Sequence, residues 1–196
     1  MSEQEGRTKG AIELAGPLTR EKVAGLRAGD AVSLSGTIYT ARDAAHKRIC
    51  EALDRGEEPP FPLEGAVIYY AGPAPAKPGR PIGPVGPTSS YRMDPFAPRL
   101  LDLGLRAMIG KGLRGRGVVD AIVRNGACYL GAVGGAAALI ARSVVSAEVV
   151  AYEDLGTEAV RRLEVRDMPL VVVIDPTGTN LYETGPAAWR EAHGIG

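Results

Sequence analysis

Between Gly72 and Pro87, ten of sixteen residues are glycine or proline. Proline fixes φ and removes a backbone donor, and glycine weakens helices and strands. This stretch therefore continues neither a helix nor a central strand. The composition predicts a long, stiffened loop, and long ordered loops inside a domain usually carry function. Glycine and proline make up 41 of the 196 residues, above the usual share of roughly 12%.

On either side of the loop, short apolar runs alternate with amphipathic segments. Residues 11–14 read as a strand, and Thr19 as the cap of a short helix reaching Leu26. Residues 31–39 alternate through Val32, Leu34 and Ile38 and read as a strand. Residues 43–55 place Ala45, Ile49, Cys50 and Leu53 on one helical face, which Gly56 ends. Residues 66–70 form a continuous apolar run, the mark of a buried strand. Asp94-Pro95 is a helix-start signal for a segment running to Leu103. Strands follow at 107–109 and 128–133, separated by a helix over 118–124 that Asn125-Gly126 closes. Gly134-Gly135 opens an alanine-rich helix to Val145. Beyond it, 149–152, 163–165 and 170–174 read as strands, with a short helix over 157–162. A turn at 176–180 precedes a terminal helix over 186–192. The interleaving predicts a layered α/β fold, and a single domain over 1–196 with the loop at 72–87 as a functional insertion.

Charge narrows the function classes. Lys+Arg and Asp+Glu are both 23, so no general drive toward nucleic acid or an anionic membrane is expected. No apolar run is long enough to span a bilayer. Met1 to Gly10 is polar, without the apolar core of a signal peptide. A cytoplasmic protein is the expectation. Two cysteines, Cys50 and Cys128, are too few for a disulfide framework or for holding a metal cluster alone. Both read as core thiols.

Three cations stand where strands give way to loops or helices. Arg42 follows a strand and opens a helix, with His46 one turn along on the same face. In α/β proteins ligands bind at such strand ends, although a capped helix with a solvated basic face fits equally. Arg92 comes four residues after Thr88, within Gly86-Pro87-Thr88-Ser89-Ser90-Tyr91-Arg92. A guanidinium beside hydroxyls suits a carboxylate or phosphate, and a capped turn is the plainer alternative. Lys111 ends a buried strand between Gly110 and Gly112. That spacing is not a phosphate-cradling Walker loop, and Gly131-Ala132-Val133-Gly134-Gly135 lacks the dinucleotide fingerprint. Arg42, Arg92 and Lys111 together predict a site for a small dianion, with no nucleophile–base pair and no metal set.

Four blocks in register carry a family resemblance: residues 41–48 (ARDAAHKR), 72–80 (GPAPAKPGR), 86–94 (GPTSSYRMD) and 110–112 (GKG), with 134–137 and 151–156 also fitting. The chain resembles the β subunit of two-subunit class I fumarate hydratases, equivalent to the C-terminal domain of the single-chain enzymes. L(+)-tartrate dehydratase β subunits are similar. The resemblance implies a swivelling β/β/α fold and a [4Fe–4S] cluster whose cysteines lie in the α subunit. The cluster's open iron would bind the substrate hydroxyl and a carboxylate. It implies an α2β2 heteromer acting on a small dicarboxylate. By motif, Arg42, Arg92 and Lys111 would bind the substrate carboxylates, with Thr88 beside the reacting carbons and Lys111 also catalytic. No metal ligand is expected in this chain. Ser89 departs from the family, where a second threonine is common, and keeps a hydroxyl. The proline-rich loop and Tyr91 favour fumarase over tartrate dehydratase. A non-catalytic dianion- or partner-binding domain is the remaining alternative.

Overall fold

The computed structural model describes residues 10–132, 135 and 137–194. Val133, Gly134 and Ala136 of the second glycine motif, and residues 1–9 of the polar N-terminus, lie outside the described residues. The elements are β1 (Ile12–Ala15), α1 (Arg20–Ala24), β2 (Ala31–Thr40), α2 (Asp43–Asp54), β3 (Val67–Tyr69), α3 (Ala97–Asp102), β4 (Ala107–Gly110), α4 (Arg116–Asn125), β5 (Cys128–Gly131), α5 (Ala137–Arg142), β6 (Val144–Ala151), β7 (Val160–Ile174) and α6 (Leu181–Ala192). Short 3₁₀ segments occupy Ser90–Met93 and Glu153–Glu158. None of the described helices is long and apolar enough to cross a membrane.

The sheet runs β1-β2-β3-β4-β5-β7-β6, and β2 also pairs with β7. That extra pairing closes β2, β3, β4, β5 and β7 into a barrel, leaving β1 and β6 outside the ring. Strands β1 to β5 are mutually parallel, whereas β7 is antiparallel to β2, β5 and β6. The protein is thus mixed α/β, as its interleaved pattern predicts, with a sheet that curls on itself.

Period-two alternation divides the strand side chains between two apolar clusters. Val67 and Tyr69 of β3, Ala107 and Ile109 of β4, and Cys128 and Leu130 of β5 join Leu34, Ile38, Leu163 and Val172 inside the ring. Their neighbours Ile68, Met108 and Tyr129 face outward onto Ile49 of α2, Leu100 and Leu101 of α3, and Ile122 of α4. The loop 72–87 folds back on the barrel, burying Ile82 and Val85 with the interior cluster. The Tyr69 hydroxyl donates to the Val85 carbonyl at 2.8 Å. Ala74 N–H donates to Pro84 O at 3.0 Å, and a Cβ on Gly83 would overlap the carbonyls of Ala74 and Pro75.

Several boundaries differ from the sequence reading, each for a tertiary reason. The segments read as strands at 163–165 and 170–174 are parts of one fifteen-residue β7. The polar Arg166-Asp167 between them lies at a register shift against β2, where Asp167 takes φ 51° and its N–H donates to Ser35 Oγ at 3.0 Å, so the strand continues through the irregularity. The helix expected to reach Val145 stops at Arg142, because the chain enters β6 at Val144, which pairs with Val165 of β7. The short helix read over 157–162 yields to β7 from Val160 onward, and the helical turn lies earlier, at Glu153–Glu158. Asp94 does not cap the helix that follows it. Helix α3 begins at Ala97, and the Asp94 carboxylate instead accepts from Gly115 N–H at 2.6 Å, at the start of α4. Thr19 does cap α1, accepting from Lys22 N–H, and Gly126 ends α4 in the left-handed region at φ 58°.

Candidate active site

Because β2, β3 and β4 run parallel, their carboxyl ends share one rim of the barrel. The candidate residues all follow these ends. Arg42 is two residues past β2, Thr88 lies in the returning limb of the loop after β3, and Lys111 immediately follows β4. Backbone contacts stitch the segments together. Pro87 bridges Ala71, and Thr88 N–H donates to Tyr70 O at 2.7 Å. Ser89 forms a parallel bridge with Lys111, and Ser90 N–H donates to Lys111 O at 2.9 Å. Residues 87–90 thus pair with the extensions of β3 and β4. Thr88 is half-buried there, with Lys111 beside it and Arg92 in the following 3₁₀ turn.

The three cations differ in their surroundings. Arg92 and Lys111 are exposed, and neither makes an ion pair among the described residues. Arg42 is held. Its Nη2 lies 3.0 Å from Glu158 Oε1 and 3.7 Å from Asp43 Oδ1, while its buried Nε has no hydrogen-bond partner among the described residues. Gly72 makes room for that guanidinium. A Cβ there would touch Arg42 Cδ and Nη1, each at 3.5 Å, and the Thr157 carbonyl at 3.0 Å.

His46, placed beside Arg42 by helical spacing, turns inward. Its ring is fully buried, with Nδ1 2.8 Å from the Arg42 carbonyl. Burial pushes its pKa down to about 4, outweighing the carbonyl hydrogen bond that favours protonation. The ring is neutral at pH 7, so Nδ1 donates and Nε2 is a bare acceptor. It does not reach the rim as a base. The cysteines are far from metal ligands in character. Cys128 lies inside the barrel, its thiol pushed up to about 12 by burial, and burial also raises Cys50 on α2. Among the described residues no group of three or more His, Cys, Asp or Glu is placed to hold a metal. The described residues therefore do not fit the ligand set of an iron–sulfur cluster.

Other contributors were invisible to local pattern. Glu158 reaches Arg42 from a segment more than a hundred residues away. Tyr182, at the start of α6, accepts from Gly112 N–H at 3.0 Å and helps line a groove of about 250 Å³ beside Lys111. The Tyr129 hydroxyl donates to Gly112 O (3.1 Å) and so accepts from Ser90 Oγ (2.8 Å), fixing both sides of the Ser89–Lys111 bridge.

The family model described as "Fumarase C-terminus" matches residues 1–185. This chain belongs to that family. Among its relatives, "Fumarate hydratase class I, anaerobic" of Escherichia coli is 41% identical over 154 residues, covering 78% of this chain and 28% of that protein. "Fumarate hydratase 2" of Leishmania major is 37% identical over 179 residues, covering 87% and 31%. "Putative L(+)-tartrate dehydratase subunit beta" of Methanocaldococcus jannaschii is 40% identical over 172 residues, covering 85% of this chain and 88% of that protein. The fumarase C-terminus domain thus spans less than a third of these two fumarate hydratases and most of the tartrate dehydratase subunit.

Proposed function

We propose that this chain is the β subunit of a two-subunit class I fumarate hydratase, interconverting fumarate and (S)-malate. The observation that carries the reading is the rim. Among the described residues Arg92 and Lys111 make no ion pair, and both lie in the segments next to Thr88, at the carboxyl ends of parallel strands. A partner α subunit would hold the [4Fe–4S] cluster, in keeping with the unsuitable thiols of this chain. The assembly would be cytoplasmic and α2β2, the barrel swivelling its rim over the partner's site.

The chemistry asked of this chain is electrostatic. Removing the proton next to a malate carboxylate builds an aci-carboxylate with extra negative charge. Arg92 and Lys111, fixed at that carboxylate, stabilise the developing charge more than the ground state. Arg42, steadied by Glu158, would take the second carboxylate, and Thr88 would hydrogen-bond near the reacting carbons. A threonine hydroxyl is a poor base, so the base or its activator belongs to the partner.

The near-full-length match to a tartrate dehydratase β subunit favours a second reading, dehydration of L(+)-tartrate. Anaerobic co-expression with the partner, followed by assays on malate, fumarate and tartrate, separates the two. The isolated chain should be iron-free and inactive. Substantial fumarate hydration by the chain alone would overturn the two-subunit reading, and exclusive turnover of tartrate would replace the substrate.

A further inference from the structure

Directly beneath the rim lies a buried cation that the proposed chemistry does not use. The Arg114 side chain is 0% exposed, and its Nε donates to Asp94 Oδ1 at 2.7 Å. Its guanidinium carbon sits 5.3 Å from the Tyr70 ring centroid and 5.1 Å from that of Tyr129, a cation between two aromatic faces. An arginine costs much to bury and cannot shed its charge. Such a group remains in a core only where its surroundings hold it tightly.

Arg114 Nη1 donates to Met108 Sδ at 3.4 Å, and the other three groups around Arg114 (Asp94, Tyr70 and Tyr129) each also hold part of the rim. Asp94 is two residues after Arg92, and its second oxygen binds Gly115 N–H, so it ties the Arg92 turn to the loop leaving Lys111. The Tyr70 carbonyl accepts from Thr88 N–H. The Tyr129 hydroxyl bonds Ser90 Oγ and Gly112 O, which flank the Ser89–Lys111 bridge. Arg114 itself is three residues past Lys111. One guanidinium thus lies at the meeting point of the segments bearing Thr88, Arg92 and Lys111.

Among the described residues, three buried polar atoms in this layer have no hydrogen-bond partner: Arg114 Nη2, the Tyr70 hydroxyl and His46 Nε2. The first is a donor, the last an acceptor and the hydroxyl either, the mixture that internal water satisfies. His46 in turn binds the Arg42 carbonyl, which extends the layer to the fourth rim residue.

We propose that Arg114 is a positioning residue that locks the Thr88, Arg92 and Lys111 segments into one rigid unit through Asp94, Tyr70 and Tyr129. The kinetic part rests on the hydratase reading, and the structural part does not.

Arg114→Met keeps the length and apolar stem and removes the planar charge. Asp94→Asn keeps the shape and weakens the hold on the guanidinium, and serves if Arg114→Met fails to fold. In the full chain alone, amide hydrogen exchange should accelerate at least tenfold at Thr88 and Ser90, and remain unchanged at the barrel amides of β2 and β7. Unchanged exchange at Thr88 and Ser90 overturns the proposal, and so does uniform acceleration everywhere, which is global destabilisation. In the reconstituted α–β complex, Arg114→Met should lower kcat/KM at least tenfold in the wild-type background. In a Lys111→Ala background the further loss should be smaller than in wild type, because the lysine's share of the harm is already done and only the Thr88 and Arg92 segments remain to be misplaced. Equal losses in both backgrounds would deny the link to Lys111. A wild-type complex inactive on all three acids refutes the hydratase reading alone, and the exchange result still decides the positioning role.

Discussion

Between pH 7 and pH 5, His46 should make acidification destabilise this domain. The ring is fully buried against Tyr70 (centroids 5.3 Å, edge-on) and Phe96 (6.3 Å). Burial lowers its pKa most. The nearby Arg114 charge lowers it further, while the Arg42 carbonyl and Asp43 act the other way. The net result is a fall from 6.5 to about 4. Between those values the unfolded chain binds a proton that the folded one refuses, so stability falls as pH drops below 6.5. Each pKa unit of difference is about 1.4 kcal/mol, which gives a full loss of about 3 kcal/mol below pH 4. Between pH 7 and pH 5 the same relation gives about 2 kcal/mol. Urea unfolding of wild type and His46→Gln at both pH values isolates it, because the other titrating groups are common to both. Wild type should lose about 2 kcal/mol more than His46→Gln over that interval. Identical pH dependence in the two proteins would show that His46 is not held neutral by burial. Nitrogen NMR of the ring offers a direct check, since it should remain neutral at pH 5.

Lys111→Ala and Arg92→Ala should each cost about 2–4 kcal/mol of transition-state stabilisation in kcat/KM of the reconstituted enzyme. Thermal stability should be unchanged, because both side chains are exposed; wild-type activity at limiting substrate removes either from the site. Arg42→Lys should also impair turnover, since an ammonium cannot grip Glu158 and a carboxylate together as a planar fork does. Gly110→Ala should both destabilise the fold and depress activity, because its Cβ would overlap Ser90 Oγ and push residues 89–90 off Lys111; a neutral thermal melt would contradict that packing. Malate or a competitive dicarboxylate should tighten α–β association by linkage, and unchanged affinity at saturating ligand would place the whole site within one subunit.

Much of this protein is legible in the order of its residues. Period-two and period-3.6 patterns mark the strands and helices, because burial of one face is a local demand repeated along each element. Thr19 and Gly126 declare helix ends, since capping and left-handed φ depend on a few adjacent atoms. Arg42 and Lys111 are recognisable as rim residues because each follows a strand, and parallel strands deliver their ends to one side. The closure of the sheet was decided only in three dimensions. It depends on β2 meeting β7 across more than a hundred residues, a pairing that no local window contains. The same distance hides the Glu158 that holds Arg42, and the Asp94 that holds Arg114 comes from twenty residues upstream, beyond any helical or strand period. His46 shows the limit most plainly. Helical spacing places it one turn from Arg42, but only the packing of Tyr70 and Phe96 against α2 turns a candidate base into a neutral core residue.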